Sequence, residues 1–145
     1  MQSMKVLRQT MMMSSERHVQ VIDITKQVRA LVREAGVREG LLLVHALHTT
    51  CALFVNEFQG ALIEDLKAML ERLVTDHASY KHNDPRYSDC ERGNAVSHLR
   101  AALLGGNVAL GINDGDLALG RFQSIVFAEL DGPRHRGIGV QILGM

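Results

Sequence analysis

LLLVHALHTTCALFVNE, residues Leu41 to Glu57, sets two apolar runs on either side of a polar kink. Leu41 to Val44 is unbroken by any polar side chain, which predicts a strand buried on both faces. His48-Thr49-Thr50 then places an imidazole and two hydroxyls side by side. Cys51 to Val55 resumes the apolar run, and Asn56-Glu57 closes it. The reading is of two hydrophobic strands, 41–47 and 51–56, that form a wall with chemistry at its corner.

Working outward, Val6 to Met13 reads as a strand with Ser14-Ser15 as a turn, and His18 to Ile24 alternates polar and apolar residues. Together they predict a hairpin. The three consecutive methionines within the first strand need no role beyond packing. Thr25 suits a helix N-cap, and Val28, Leu31 and Val32 recur at helical spacing up to Gly36, a C-terminal stop. A second helix spans about Ala61 to Val74, with Leu62, Leu66, Met69, Leu70 and Leu73 inward and Glu64, Lys67, Glu71 and Arg72 outward. From Thr75 to Gly93 the apolar periodicity vanishes, and irregular polar stretches of this length inside a domain tend to carry function. A third helix begins near Asn94, which caps it, and runs to Gly105-Gly106. The remainder is β-like: Val108 to Ile112, a turn at Asn113-Asp114-Gly115, Arg121 to Leu130, a turn at Asp131-Gly132-Pro133, and Gly137 to Leu143. This pattern predicts one α+β domain over residues 1–145, a mainly antiparallel sheet or sandwich of about seven to eight strands covered on one side by about three helices.

Composition narrows the function classes. A hydrophobic fraction of 46% and a charged fraction of 22% are ordinary for a globular chain. Sixteen basic and 16 acidic residues give a formal net charge of zero, which argues against nucleic-acid binding. No apolar run approaches the ~20 residues of a membrane span, so no membrane partner is expected. The opening MQSMKVLRQT has no signal-peptide pattern, and Cys51 and Cys90 are too few for a disulfide framework, so a reducing cytoplasm is the expected compartment. There is no P-loop and no GxGxxG after a strand, so a nucleotide cofactor is not supported. The oddity is seven histidines against two tyrosines and no tryptophan.

Of these, His48, His82 and His98 lie at a strand end, in the polar loop and on the third helix. Three imidazoles from three elements can converge as an open metal site with water in the fourth position, although no compact spacing such as HExxH fixes it. The alternative is that each makes ordinary hydrogen bonds. His45 interrupts an apolar strand and reads as a core or interface imidazole; His18, His77 and His135 need no special role. Glu57 and Asp65 are candidates for a general base and an orienting carboxylate, against a solvated or capping role for Asp65. Cys51 beside His48 invites a thiol-nucleophile reading, but a cysteine at an apolar strand start reads better as a small hydrophobe. Arg100, Arg134 and Arg136 can each clamp a phosphate or carboxylate by a bidentate fork, with surface solvation the better reading for Arg136.

Taken in order, His48-Thr49-Thr50 with Asn56-Glu57, Tyr80-x-His82, Glu91-Arg92-x-Asn94-Ala95-x-Ser97-His98-Leu99-Arg100, Leu104-Gly105, Asp114-Gly115-x-Leu117-x-Leu119-Gly120-x-x-Gln123 and Asp131-Gly132-Pro133-Arg134 resemble the YjbQ-like family. Members were long uncharacterised, and some are described as secondary thiamine-phosphate synthases. The resemblance implies a compact α+β homotrimer with a histidine-containing site near the subunit boundaries. His48, His82 and His98 match the family's histidines and Glu57 its acidic strand end. Asp65 matches the helix aspartate after a shorter connection. Many members read Asn-Glu-Asn-x-Asp-Pro where this chain reads Asn56-Glu57-Phe58-Gln59-Gly60, and Phe122 stands where a tryptophan is common. The first change removes a polar rim near the site.

The leading expectation is therefore a cytoplasmic homotrimer with weak thiamine-phosphate synthase activity on a small phosphorylated or heterocyclic ligand. Catalysis is expected from Glu57, Asp65 and His48, a divalent metal (zinc or magnesium) on His48, His82 and His98, and anion binding by Arg100 and Arg134. The alternatives are a non-catalytic trimer that binds a metal or small anion, and a hydrolase of unknown substrate using Cys51 and His48.

Overall fold

The polar kink at His48–Thr50 is where the chain leaves one sheet for another. In the computed structural model, which describes residues 2–145, the first strands are β1 (Lys5–Ser14) and β2 (Gln20–Asp23), followed by α1 (Thr25–Ala35). Next come β3 (Gly40–Ala46), β4 (Cys51–Asn56) and α2 (Gly60–Leu73), then a single helical turn at Lys81–Asn83 and α3 (Ala95–Leu104). The chain closes with β5 (Asn107–Asn113), β6 (Asp116–Leu117), β7 (Ser124–Glu129) and β8 (His135–Gly144). One sheet has five strands in the order β1-β8-β3-β5-β6, the other three in the order β2-β7-β4, and every pairing is antiparallel.

β1 and β2 do not form the expected hairpin. β1 pairs with β8 over its whole length, and β2 pairs with β7 in the other sheet. Ser14-Ser15 is thus a crossing between sheets, stitched by the Ser15 N–H to the Arg134 carbonyl at 2.9 Å. The local residue pattern marked both segments as strands but carried no information about their partners.

The main core lies between the sheets. Val28 and Val32 of α1 meet Leu42 and Val44 of β3, Cys51 and Leu53 of β4, Ile125 and Phe127 of β7, and Ile138, Val140 and Ile142 of β8. A second cluster on the far side of the small sheet joins Ala52 and Ala128 to Leu70 of α2 and Ala101 of α3. β4 and β7 therefore send alternate side chains into two cores. Burying a side chain such as Phe127 completely contributes about 1.5–3 kcal/mol.

The strand buried on both faces is thus β7, while β3 is buried on one only: Leu42 and Val44 are in the core, but Leu41 is 60% exposed. The register puts Leu41 and Leu43 on the same outer face as Leu143 of β8 and Val6 of β1. Gly139 of β8 lies on that face beneath the His45 ring, where a Cβ would collide with the imidazole.

α1 ends as expected, with Gly36 in the left-handed conformation (φ 65°). Thr25 is not its cap: the Thr25 hydroxyl donates to Asp23 at 2.6 Å and accepts from the Ile125 N–H at 2.9 Å, tying the helix start to β7. In α2, Gln59 caps by accepting from the Leu62 N–H at 2.8 Å. Only Ile63 and Leu70 of that helix are buried; Leu62 and Leu66 are half-buried, and Met69 and Leu73, expected inside, are exposed.

Candidate functional site

The polar loop and α3 are built to meet. Asn83 accepts from the Ala95 N–H at 3.0 Å, satisfying an orphan donor at the start of α3 and holding the preceding residue, His82, beside that helix. His98 lies one turn along, its N–H directed to the Asn94 carbonyl at 3.3 Å. The two imidazoles pack edge to face with centroids 4.8 Å apart. They line an open cleft of about 370 Å³ with Tyr80, Lys81, Ala95 and Leu99.

A buried carboxylate stands behind them. The Asn94 amide donates to Asp131 at 2.9 Å, and the Asn94 Oδ1 faces His82 Nε2 at 3.2 Å. The Ser97 hydroxyl donates to the Leu130 carbonyl at 2.6 Å, so α3 is fastened to the end of β7 at two points. Burial disfavours charge on Asp131, but the Asn94 amide and the Arg134 and Arg92 guanidiniums outweigh it and hold its carboxyl below the usual carboxylate range.

Two residues up the chain is Glu129, fully buried and paired with the equally buried Arg136 by two bonds of 2.8 and 2.5 Å. Ser15 and the Asp131 N–H complete the carboxylate's partners, and Arg136 also donates to the Thr50 hydroxyl at 2.8 Å. These bonds hold the Glu129 carboxyl below its usual range against its burial. Arg136 is thus no solvated surface residue. With every lone pair engaged, the pair is a brace between the β7–β8 turn and the β3–β4 corner.

His48 sits on that corner, exposed, with its Nε2 accepting from the Gly137 N–H at 3.0 Å. Partial burial, then the charge of Arg136, lowers its pKa below the ordinary histidine value. An imidazole that accepts at Nε2 carries its proton on Nδ1.

The expected site residues fall into three places. His82 and His98 share a cleft; His48 belongs to the β3–β4 corner; Glu57 and Asp65 line a separate hollow of about 360 Å³ with Phe54, Leu62, Leu66, Met69 and Arg72. Among the described residues, no three His, Cys, Asp or Glu side chains come close enough to share a metal ion. Within one chain His82 and His98 stand together, while His48 is held at the β3–β4 corner by Gly137. Arg100 turns inward, 7% exposed, and donates to the Val74 carbonyl at 2.8 Å at the end of α2, where a cation suits the helix terminus. It is not an anion clamp open to solvent. Arg134 is engaged with Asp131 at 2.9 Å but remains partly exposed. Cys51 is buried, and burial pushes its thiol up to about 11, which opposes the thiolate a nucleophile needs. Both cysteines are free.

Asn94, Glu129 and Asp131 were not singled out in the sequence as site residues. Their signal was Glu129-Leu130-Asp131 ending an apolar strand, mirrored by Arg134 and Arg136 across a Gly-Pro turn. Carboxylates and guanidiniums at matching alternate positions around a turn invite pairing.

A family model described as UPF0047 protein YjbQ-like matches residues 9–145. A UPF0047 protein of Methanothermobacter thermautotrophicus is 43% identical over 141 residues, covering 97% of this chain and 94% of that protein. YugU of Bacillus subtilis, also a UPF0047 protein, is 29% identical over 93% of this chain and 98% of its own length. Among solved structures, a YbjQ-like protein of unknown function from Sulfolobus solfataricus superposes with a TM-score of 0.91 at 35% identity, covering 99% of this chain and all of that one (100%). A hypothetical protein from Aeropyrum pernix gives 0.86 at 33% identity, covering 96% and 99%.

Proposed function

The chain belongs to the YjbQ-like UPF0047 family, and from that premise we propose that it is a cytoplasmic homotrimer whose His82–His98 cleft takes a small phosphorylated heterocycle, with thiamine-phosphate synthase as a secondary activity. The observation that carries this reading is the contact of two imidazoles in one open cleft with Lys81 on its rim. In the reaction, the thiazole nitrogen attacks the exocyclic methylene of the pyrimidine diphosphate. A C–N bond forms, the C–O bond to the diphosphate breaks, and pyrophosphate leaves with the electron pair. The step needs positive charge at the leaving group and a surface that orients both rings. Lys81 supplies the charge in place of the buried Arg100, and Leu99 and Ala95 supply apolar surface to the rings.

For a divalent ion, His82 and His98 are the two imidazole donors one chain brings together. Imidazoles suit zinc better than magnesium, and the remaining ligands must come from water, substrate or a second copy. Self-association is supported by the exposed outer face of the large sheet, where Val6, Leu41, Leu43 and Leu143 lie together.

The test is thiamine-phosphate formation from hydroxymethylpyrimidine diphosphate and thiazole phosphate, with metal analysis and sedimentation equilibrium on the same protein. Product from the parent, at least about tenfold less from His82→Ala, and a trimer mass support the reading. Stoichiometric uptake without product would make it a binding module, and a monomer at micromolar concentration would remove the trimer.

A further inference from the structure

The chain of bonds behind the cleft fixes more than position. An ionised carboxylate only accepts hydrogen bonds, so the Asn94 side-chain nitrogen must face Asp131, at 2.9 Å. Its Oδ1 therefore faces His82 as an acceptor, and Cys90 Sγ, a second donor, approaches the same oxygen at 3.6 Å. His82 can satisfy that oxygen only with its proton on Nε2. The other ring nitrogen, Nδ1, has no hydrogen-bond partner among the described residues, and the ring lines the cleft. Arg134 and Arg92, at 2.9 and 3.4 Å from the Asp131 carboxylate, keep it ionised and so keep the direction of the relay.

We propose that Asp131 and Asn94 are positioning residues that lock His82 as the Nε2–H tautomer, so that Nδ1 meets the ligand as a proton acceptor. This rests on the reading of the cleft given above and narrows its ligand: the group placed against His82 presents an N–H or O–H, as an aminopyrimidine does. His82 in this state can accept a proton but cannot donate one from Nδ1. The arrangement follows the principle by which an outer hydrogen bond selects the working nitrogen of an imidazole.

Two-bond proton–nitrogen correlation spectra of uniformly ¹⁵N-labelled full-length protein, recorded near pH ~8 above the imidazole range, read the tautomer directly. The parent is expected to show His82 entirely as Nε2–H. Asn94→Ala removes the relay and is expected to leave a mixture of tautomers. Asp131→Asn keeps the shape but lets the Asn94 amide face either way, and is expected to give a partial loss. A parent spectrum with His82 as the Nδ1–H form or as a mixture overturns the proposal without recourse to any variant. So does an unchanged pure Nε2–H signal in Asn94→Ala, or in Asp131→Asn should the first variant not fold. Because the readout needs no ligand, absent turnover with an intact tautomer lock would count against the proposed reaction and leave the relay standing.

Discussion

His48 and His82 are both tied through Nε2, and in opposite senses. At the β3–β4 corner a backbone N–H donates to His48, leaving Nδ1–H as the outward group. At the cleft His82 donates to Asn94, leaving a lone pair on Nδ1. One imidazole offers the solvent a donor and the other an acceptor. The difference arises from their neighbours, a glycine backbone braced by Glu129–Arg136 in one case and a carboxylate-directed amide in the other. The identity of a histidine in a motif thus says little of its role until the partner of its second nitrogen is known.

The largest expected effect comes from breaking the brace beneath His48. Glu129→Ala leaves Arg136 buried and unpaired, and should cost about 3–5 kcal/mol of stability in denaturant unfolding. A cost under about 1 kcal/mol would show that the pair does not hold the corner. Asn94→Ala should cost less, about 1.5–3 kcal/mol for a bond to a charged group, with the loss read in the same unfolding experiment. It should leave the His48 signals unchanged in the imidazole spectra; a shift at both histidines would merge the two neighbourhoods into one.

Acid should act on both neighbourhoods through their carboxylates. Glu129 and Asp131 have carboxyls held below their ordinary values, so their contribution is fully present above the unfolded value near ~4 and is lost as pH falls through the folded values. Unfolding midpoints measured from neutral pH down to about 3 should fall steepest below about 4, and Glu129→Gln should flatten that fall. A parent midpoint unchanged across that window would contradict the pairing.

The smallest effect belongs to His48. Its folded pKa lies below the unfolded value near ~6.5, so the unfolded chain binds the extra proton and stability slips as pH drops through that value. His48→Gln should remove this slight slope between about pH 7 and 5.5 and leave the acid limb intact.

What the sequence showed follows from what periodicity can carry. The corner at His48–Thr50 and the three helices were legible because apolar spacing is local, but neither Thr25 nor Asn94 caps its helix through its side chain: Asn94 turns to Asp131 and His82 instead. The β1–β8 pairing was not, since a strand's alternation does not name its partner. The exposed face of β3 was misread because an unbroken apolar run looks the same whether its second face meets its own core or is left open, as at Leu41. In the site, the proximity of His82 and His98 had no signature at a spacing of loop and helix, and Asn94 read only as a cap. Arg100 read as an anion clamp and Arg136 as a surface cation because nothing local revealed the Val74 carbonyl or the Glu129 carboxylate that they meet.

The central claim is that ligand recognition lies at the His82–His98 cleft, apart from the His48 corner and the Glu57–Asp65 hollow. Calorimetric titration of hydroxymethylpyrimidine diphosphate into the parent, His82→Ala, His48→Gln and Glu57→Gln tests it most directly. Loss of one hydrogen bond to a charged or polar ligand group, about 1.5–3 kcal/mol, should weaken binding by roughly ten- to a hundredfold in His82→Ala. Glu57→Gln and His48→Gln should bind as the parent does. Equal affinity in parent and His82→Ala, with the loss falling on Glu57→Gln or His48→Gln, would place recognition elsewhere and contradict the account.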